Sequence, residues 1–97
     1  MRIIKLIWDE ENEEHIARHQ VTPDEVEELF FIFKGKPYIR RFRDIYHAFG
    51  QTEAGRYLFV VFRVLGSGQA RVITAREMDR AEKRFYKGHK RKRGRGG

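Results

Sequence analysis

Tyr57-Leu58-Phe59-Val60-Val61-Phe62-Arg63-Val64-Leu65 is the most apolar run of the chain. β-branched and aromatic residues suit a pleated strand, and a run with no polar interruption from Tyr57 to Phe62 predicts a strand covered on both faces. Such a strand belongs in the middle of a sheet. Working outward, Gly50-Gln51-Thr52-Glu53-Ala54-Gly55 reads as a turn, preceded by period-two stretches over Tyr38 to Arg43 and Ile45 to Phe49. On the other side, Gly66-Ser67-Gly68 predicts a hairpin into a strand from Ala70 to Ala75. Met78, Ala81 and Phe85 then share one side of a helix expected to end near Lys87.

The first third reads differently. Ile3, Ile4, Leu6 and Ile7 predict a short strand ending near Trp8, and Asp9 predicts the N-cap of a helix from Glu10 to His19. Its early glutamates suit the positive end of the helix dipole. Thr22-Pro23-Asp24-Glu25 is a capping box with Pro at the first helical position, and Val26, Leu29, Phe30 and Phe33 form the apolar stripe of the helix that follows. Helices in a block followed by a meander indicate an α+β fold. The expectation is a small antiparallel sheet of about four strands, with an extra edge strand left open, backed by two N-terminal helices and one C-terminal helix.

With 97 residues, 40% hydrophobic, the chain makes one core. We place the domain over residues 1–87, followed by a basic tail over 88–97 expected to be disordered, since it carries no large apolar residue and no acid. No stretch reaches the length of a spanning helix, and the opening residues are too short for a secretory signal, so a soluble cytoplasmic protein without membrane contact is expected. The absence of Cys excludes disulfides, thiolate metal sites and a thiol nucleophile.

The formal charge of +7 is strongly segregated: residues 8–33 carry −8, residues 34–86 carry +7 and residues 87–97 carry +6. That basic end suggests a nucleic-acid partner, through Lys87, Lys90, Arg91, Lys92 and Arg93 in addition to Arg63, Arg80 and Arg84. Opposed charges either neutralise each other within the fold or present an acidic face to one partner and a basic face to another.

Chemistry-bearing motifs are sparse. His15 and His19 have metal-sharing spacing, but no third ligand is marked, so packed histidines are expected and no metal or other cofactor. Ser67 lies in a plain turn rather than a nucleophile elbow. What remains are arginines at strand edges and helix starts: Arg56, Arg63, Arg71, Arg76, Arg80 and Arg84. A guanidinium fork grips phosphate through two oxygens; the alternative is a network with Glu53, Glu77, Asp79 and Glu82.

Three separated blocks of the chain have counterparts in one family. Trp8-Asp9-Glu10-Glu11-Asn12 with His15 to Glu25, then Gly55-Arg56-Tyr57-Leu58-Phe59-Val60-Val61, then Arg71-Val72-Ile73-Thr74-Ala75-Arg76 with Glu82-Lys83-Arg84 and Tyr86, resemble the conserved blocks of BrnT-family toxins. Glu11 stands where that family usually has Lys, His15 where Asn is common and Gln20 where Gly follows the His; residues 37–48 diverge most.

The resemblance implies a RelE-like ribonuclease fold and the toxin half of a type II toxin–antitoxin pair, with RNA and a protein antitoxin as partners. A homo-oligomer is left open. Metal-independent cleavage would use the substrate's own 2′-hydroxyl as nucleophile, leaving the protein to align it, move protons and stabilise charge. Arg56, Arg71 and Arg76 are assigned charge stabilisation, in a pocket where they converge. His19, Tyr86 and Glu82, with His47, are candidates for proton transfer. The alternatives are a non-catalytic nucleic-acid-binding module on the same scaffold and a regulatory protein whose acidic helices bind a basic partner.

Overall fold

The computed structural model describes residues 2–32 and 37–96, with residues 90–96 described by their backbone alone. Its elements run β1 (Lys5–Ile7), α1 (Glu10–Ala17), α2 (Pro23–Glu27), β2 (Tyr38–Phe42), β3 (Ile45–Gln51), β4 (Tyr57–Gly66), β5 (Gln69–Glu77) and α3 (Arg80–Gly96). α2 continues into a wider π-type turn over Glu28–Ile32.

The strands form one sheet in the order β1-β5-β4-β3-β2, with β4 central as its composition predicts. β2 to β5 are an antiparallel meander, whereas β1 pairs parallel to β5 through Lys5↔Gln69, Leu6↔Ala70 and Ile7↔Arg71. The expectation of about four antiparallel strands is therefore corrected to a five-stranded mixed sheet. Which neighbour an edge strand joins is decided by packing: α1 and α2 carry the chain across one face before the meander begins, and β1 is left to close on β5.

Alternation along β4 divides the core in two. Leu58, Val60 and Phe62 pack with Ile16 of α1, Val21, Val26 of α2 and Leu29. On the other face Phe59 packs with Phe49, Met78 and Tyr86 of α3. The sheet thus has the acidic helices on one side and the basic helix on the other. Sequence segregation of charge becomes segregation by face. Val61 pairs with Thr74 and Phe62 with Val72, so Ile73 is an extra residue in β5; this bulge lets both Val72 and Ala75 meet the same core.

Local sequence sets the ends. Asp9 caps α1 by accepting from the Asn12 amide at 3.0 Å, and the Asn12 side chain accepts from the Asp9 amide at 2.8 Å. Asn12, buried, also donates to Ile7 O at 2.9 Å and Val72 O at 3.0 Å, tying α1 to two strands. Reciprocal caps of this kind contribute about 1 kcal/mol each. α1 ends at Ala17 rather than His19, because Gln20 adopts φ +61 and the Val21 amide turns back to Ile16 O at 3.1 Å. Thr22 and Glu25 make the expected box. Phe33 lies outside the described residues.

α3 begins at Arg80, capped by Asp79, so Met78 precedes it and is buried against the sheet. The helix is also longer than expected, running past Lys87 to Gly96. Lys and Arg are good helix formers, and His89 extends the packing by lying 3.8 Å from the ring of Tyr38.

Candidate active site

Two cavities line up with candidate residues. The first, about 370 Å³, is bounded by Arg40 of β2, His47 and Phe49 of β3, Phe59 of β4, and Ala81, Glu82 and Phe85 of α3. Register explains it. Arg40 pairs with His47, while in the neighbouring row Tyr38 pairs with Phe49, Phe49 with Phe59 and Phe59 with Arg76. Alternate residues of β2 and β3 therefore place Arg40, His47 and Phe49 on the α3 face. Arg76 lies with its guanidinium 4.5 Å from the Phe59 ring centre, and His47 contacts the same ring at 5.0 Å.

The electrostatics of this groove are specific. Arg76 donates to Glu82 Oε1 at 2.8 Å and Oε2 at 3.0 Å, and to Glu77 O at 3.1 Å. Three of its five N–H groups are thereby used, leaving two for another acceptor. The pairing holds the Glu82 carboxyl below its usual range, and Glu82 also accepts from the Asp79 amide at 2.8 Å as part of the α3 cap. Burial, then the positive charge of Arg40, pushes the His47 pKa below its ordinary value; Glu82 opposes and Arg76 adds to the shift. The shift favours the uncharged imidazole, with Arg40 and Arg76 both near enough to contribute to it. That imidazole can accept a proton.

The second cavity, about 250 Å³, is bounded by Glu11, Asn12, His15, Arg71, Val72 and Ile73. Arg71 donates there to Asp9 and to Glu11, the latter at 3.1 Å. Two carboxylates against one guanidinium leave this mouth negative, whereas Arg40 and Arg76 against Glu82 leave the first positive. Phosphate is favoured at the first.

The expected convergence of Arg56, Arg71 and Arg76 is corrected. Each is held by a carboxylate from a different helix: Arg56 by Glu25 at 2.8 Å, with Glu77 at 3.7 Å; Arg71 by Asp9 and Glu11; Arg76 by Glu82. Semi-buried guanidinium groups need partners, and the acidic helices supply two of the three. Of the proton-transfer candidates, Glu82 and His47 share the groove, Tyr86 is buried beneath α3 against Tyr57, and His19 is exposed beyond α1, on the opposite side of the sheet. His19 faces His15 at 5.6 Å; among the described residues no three metal-ligating side chains gather.

Arg80, Arg84 and Lys87 are exposed along α3, and Lys87 lies 5.0 Å from the Tyr57 ring. Arg63 is an exposed side chain 3.9 Å from Asp44. The side chains of Lys90, Arg91, Lys92 and Arg93 lie outside the described residues. Arg40 is the site residue that sequence reasoning missed. The signal was present in the period-two run of β2, where Arg40 and Phe42 fall on one side, but nothing marked which side met α3.

A small mixed sheet thus carries an imidazole, two guanidinium groups and a carboxylate beneath a basic helix. The family model for the ribonuclease toxin BrnT of type II toxin–antitoxin systems matches residues 8–82, and the chain belongs to that family. Among solved structures, the crystal structure of the Brucella abortus ribonuclease toxin BrnT is similar, with 26% sequence identity and a TM-score of 0.63, covering 79% of this chain and 99% of that one. No curated protein matches. Membership of a two-component family implies a protein antitoxin as partner. No described helix is long and apolar enough to cross a membrane.

Proposed function

We propose that the chain is a metal-independent endoribonuclease with a RelE-like mode of action, working in the groove between the sheet and α3. The observation that carries this reading is His47, depressed in pKa, which lines a 370 Å³ cavity with Arg40 and Glu82 and shares the Phe59 ring with the guanidinium of Arg76. His47 takes the proton from the substrate 2′-hydroxyl, whose oxygen attacks the adjacent phosphorus. The bond from phosphorus to the 5′-oxygen breaks, leaving a 2′,3′-cyclic phosphate and a 5′-hydroxyl that takes a proton from solvent. Arg40 and the two unused N–H groups of Arg76 stabilise the pentacoordinate phosphorane. Glu82 acts as a positioning residue, holding the Arg76 fork. Arg80, Arg84, Lys87 and the basic residues beyond bind the flanking phosphates.

The test is incubation of purified protein with RNA in excess chelator. Cleavage with cyclic-phosphate ends is expected, and His47→Gln should lose about 100-fold or more in rate with unchanged melting. Cleavage that stops on chelation would overturn metal independence. One observation favours a second reading: Arg56, Arg71 and Arg76 are each occupied by carboxylates, as in a module that binds nucleic acid without cutting it. Tight RNA binding with no product would decide for it.

A further inference from the structure

At the open end of the groove two rings that the chemistry above does not use, Phe42 and Phe85, flank Arg40. Arg40 lies 5.4 Å from the Phe85 ring centre and 5.3 Å from that of Phe42; Phe42 contacts His47 at 4.7 Å. From Phe85 through Arg40 and Phe42 to His47 these contacts lead directly to the proposed proton acceptor. Phe42 is 49% exposed and Phe85 40% exposed. β2 is an edge strand, so no further strand covers Phe42, and α3 presents Phe85 at the rim of the cavity.

Leaving two large rings half exposed, Phe85 with Tyr38 and Phe49 on its inner side, forgoes part of the roughly 1.5–3 kcal/mol that full burial of such a side chain contributes. Their surroundings say what covers them. An apolar protein partner would have to desolvate the guanidinium of Arg40 between the rings, which is costly without an acceptor. A nucleotide meets both needs at once, with a flat π-face for the ring and a phosphate for the guanidinium. A paired base cannot offer that face, because in an A-form duplex the bases are stacked inside and the deep groove excludes side chains.

We propose that Phe42 and Phe85, with Arg40 between them, form a stacking subsite for an unpaired nucleobase, so that the protein selects single-stranded over duplex RNA. This rests on the ribonuclease reading for the nature of the polymer, and there the stacked base is the one beside the scissile phosphate. Electrostatic contacts from α3 serve both forms of RNA; only the rings discriminate.

The probe is 2′-fluoro RNA of about twelve nucleotides, which lacks the nucleophile and cannot be cut, alone or annealed to its complement. Fluorescence anisotropy with the full chain should show the single strand bound about tenfold or more tighter. Phe85→Leu and Phe42→Leu should each weaken single-strand binding about tenfold and leave duplex binding in place, while Phe85→Trp restores discrimination. Leu retains the apolar packing, and unchanged melting of the variants separates lost stacking from lost folding. Equal binding of both RNA forms by the wild-type protein would overturn the proposal, as would equal weakening of both forms in the Leu variants. So would unchanged RNA binding in Leu variants that no longer bind the antitoxin, which would make the rings a protein-docking surface. Discrimination through the rings without cleavage of ordinary RNA would support the subsite and remove the nuclease reading.

Discussion

Arg76 and Glu82 meet as a parallel fork, two hydrogen bonds of 2.8 and 3.0 Å joining the end of β5 to the first turn of α3. The same carboxylate caps that helix through the Asp79 amide. One pair therefore fixes both the floor and the roof of the groove, and ties the placement of a cation to the placement of a helix.

Substitutions at the two positions should separate these duties. Arg76→Ala should lower stability by no more than about 1 kcal/mol, since the pair is partly exposed, and leave the cap intact. RNA cleavage should fall about 100- to 1,000-fold through loss of charge stabilisation. Glu82→Gln keeps the one oxygen that accepts from both Asp79 and Arg76 and loses the second arm of the fork, so cleavage should stay within about tenfold of wild type. Thermal melts and single-turnover cleavage measure both. If Glu82→Gln is as inactive as His47→Gln, the carboxylate carries a proton in the reaction.

The pH dependence has a sign fixed by His47 and Glu82. Burial and Arg40 hold the folded His47 pKa below the usual 6.5, so the acid limb of kcat/KM should fall below that value. Arg40→Gln removes the second of these causes and should move the limb to higher pH. For stability, the unfolded chain takes up the His proton first, so the contribution of neutral His47 is present above 6.5 and fades as pH falls through the window beneath it. Glu82, lowered from 4.5 by Arg76, adds stability above that value and loses it on further acidification. Denaturant titrations across the acid range should show both losses in the same direction.

The basic end of the chain should report itself through salt. Removing residues 88–97 takes away Lys90, Arg91, Lys92, Arg93 and Arg95. If all five contact single-stranded RNA phosphates, the slope of log affinity against log salt should flatten by about 3 to 4. An unchanged slope would assign the contacts to Arg80, Arg84 and Lys87.

Much of the architecture was legible where local chemistry and global packing agree. The unbroken apolar run of β4 announced its central place, and the Thr22 box with Pro23 announced α2. The parallel pairing of β1 was not legible, because a three-residue strand shows its propensity and not its neighbour. Within the site, Arg76 and Glu82 were visible as individual residues and as a possible ion pair. The partnership of Arg40 with His47 was hidden, since it depends on the register of a tight hairpin that turns on Arg43 with φ +59. The carboxylates that hold Arg56 and Arg71 were equally out of view, lying 31 and 62 residues away along the chain.

The parallel ladder of β1 on β5 has a consequence for synthesis. Its partners, residues 69–71, emerge long after Lys5–Ile7, and the groove itself draws on residues from Arg40 to Phe85. An incomplete nascent chain thus contains neither a closed sheet nor a complete cleft. If the groove works as proposed, a ribosome-bound fragment that stops short of Phe85 cannot cleave RNA, and activity begins only with the finished fold.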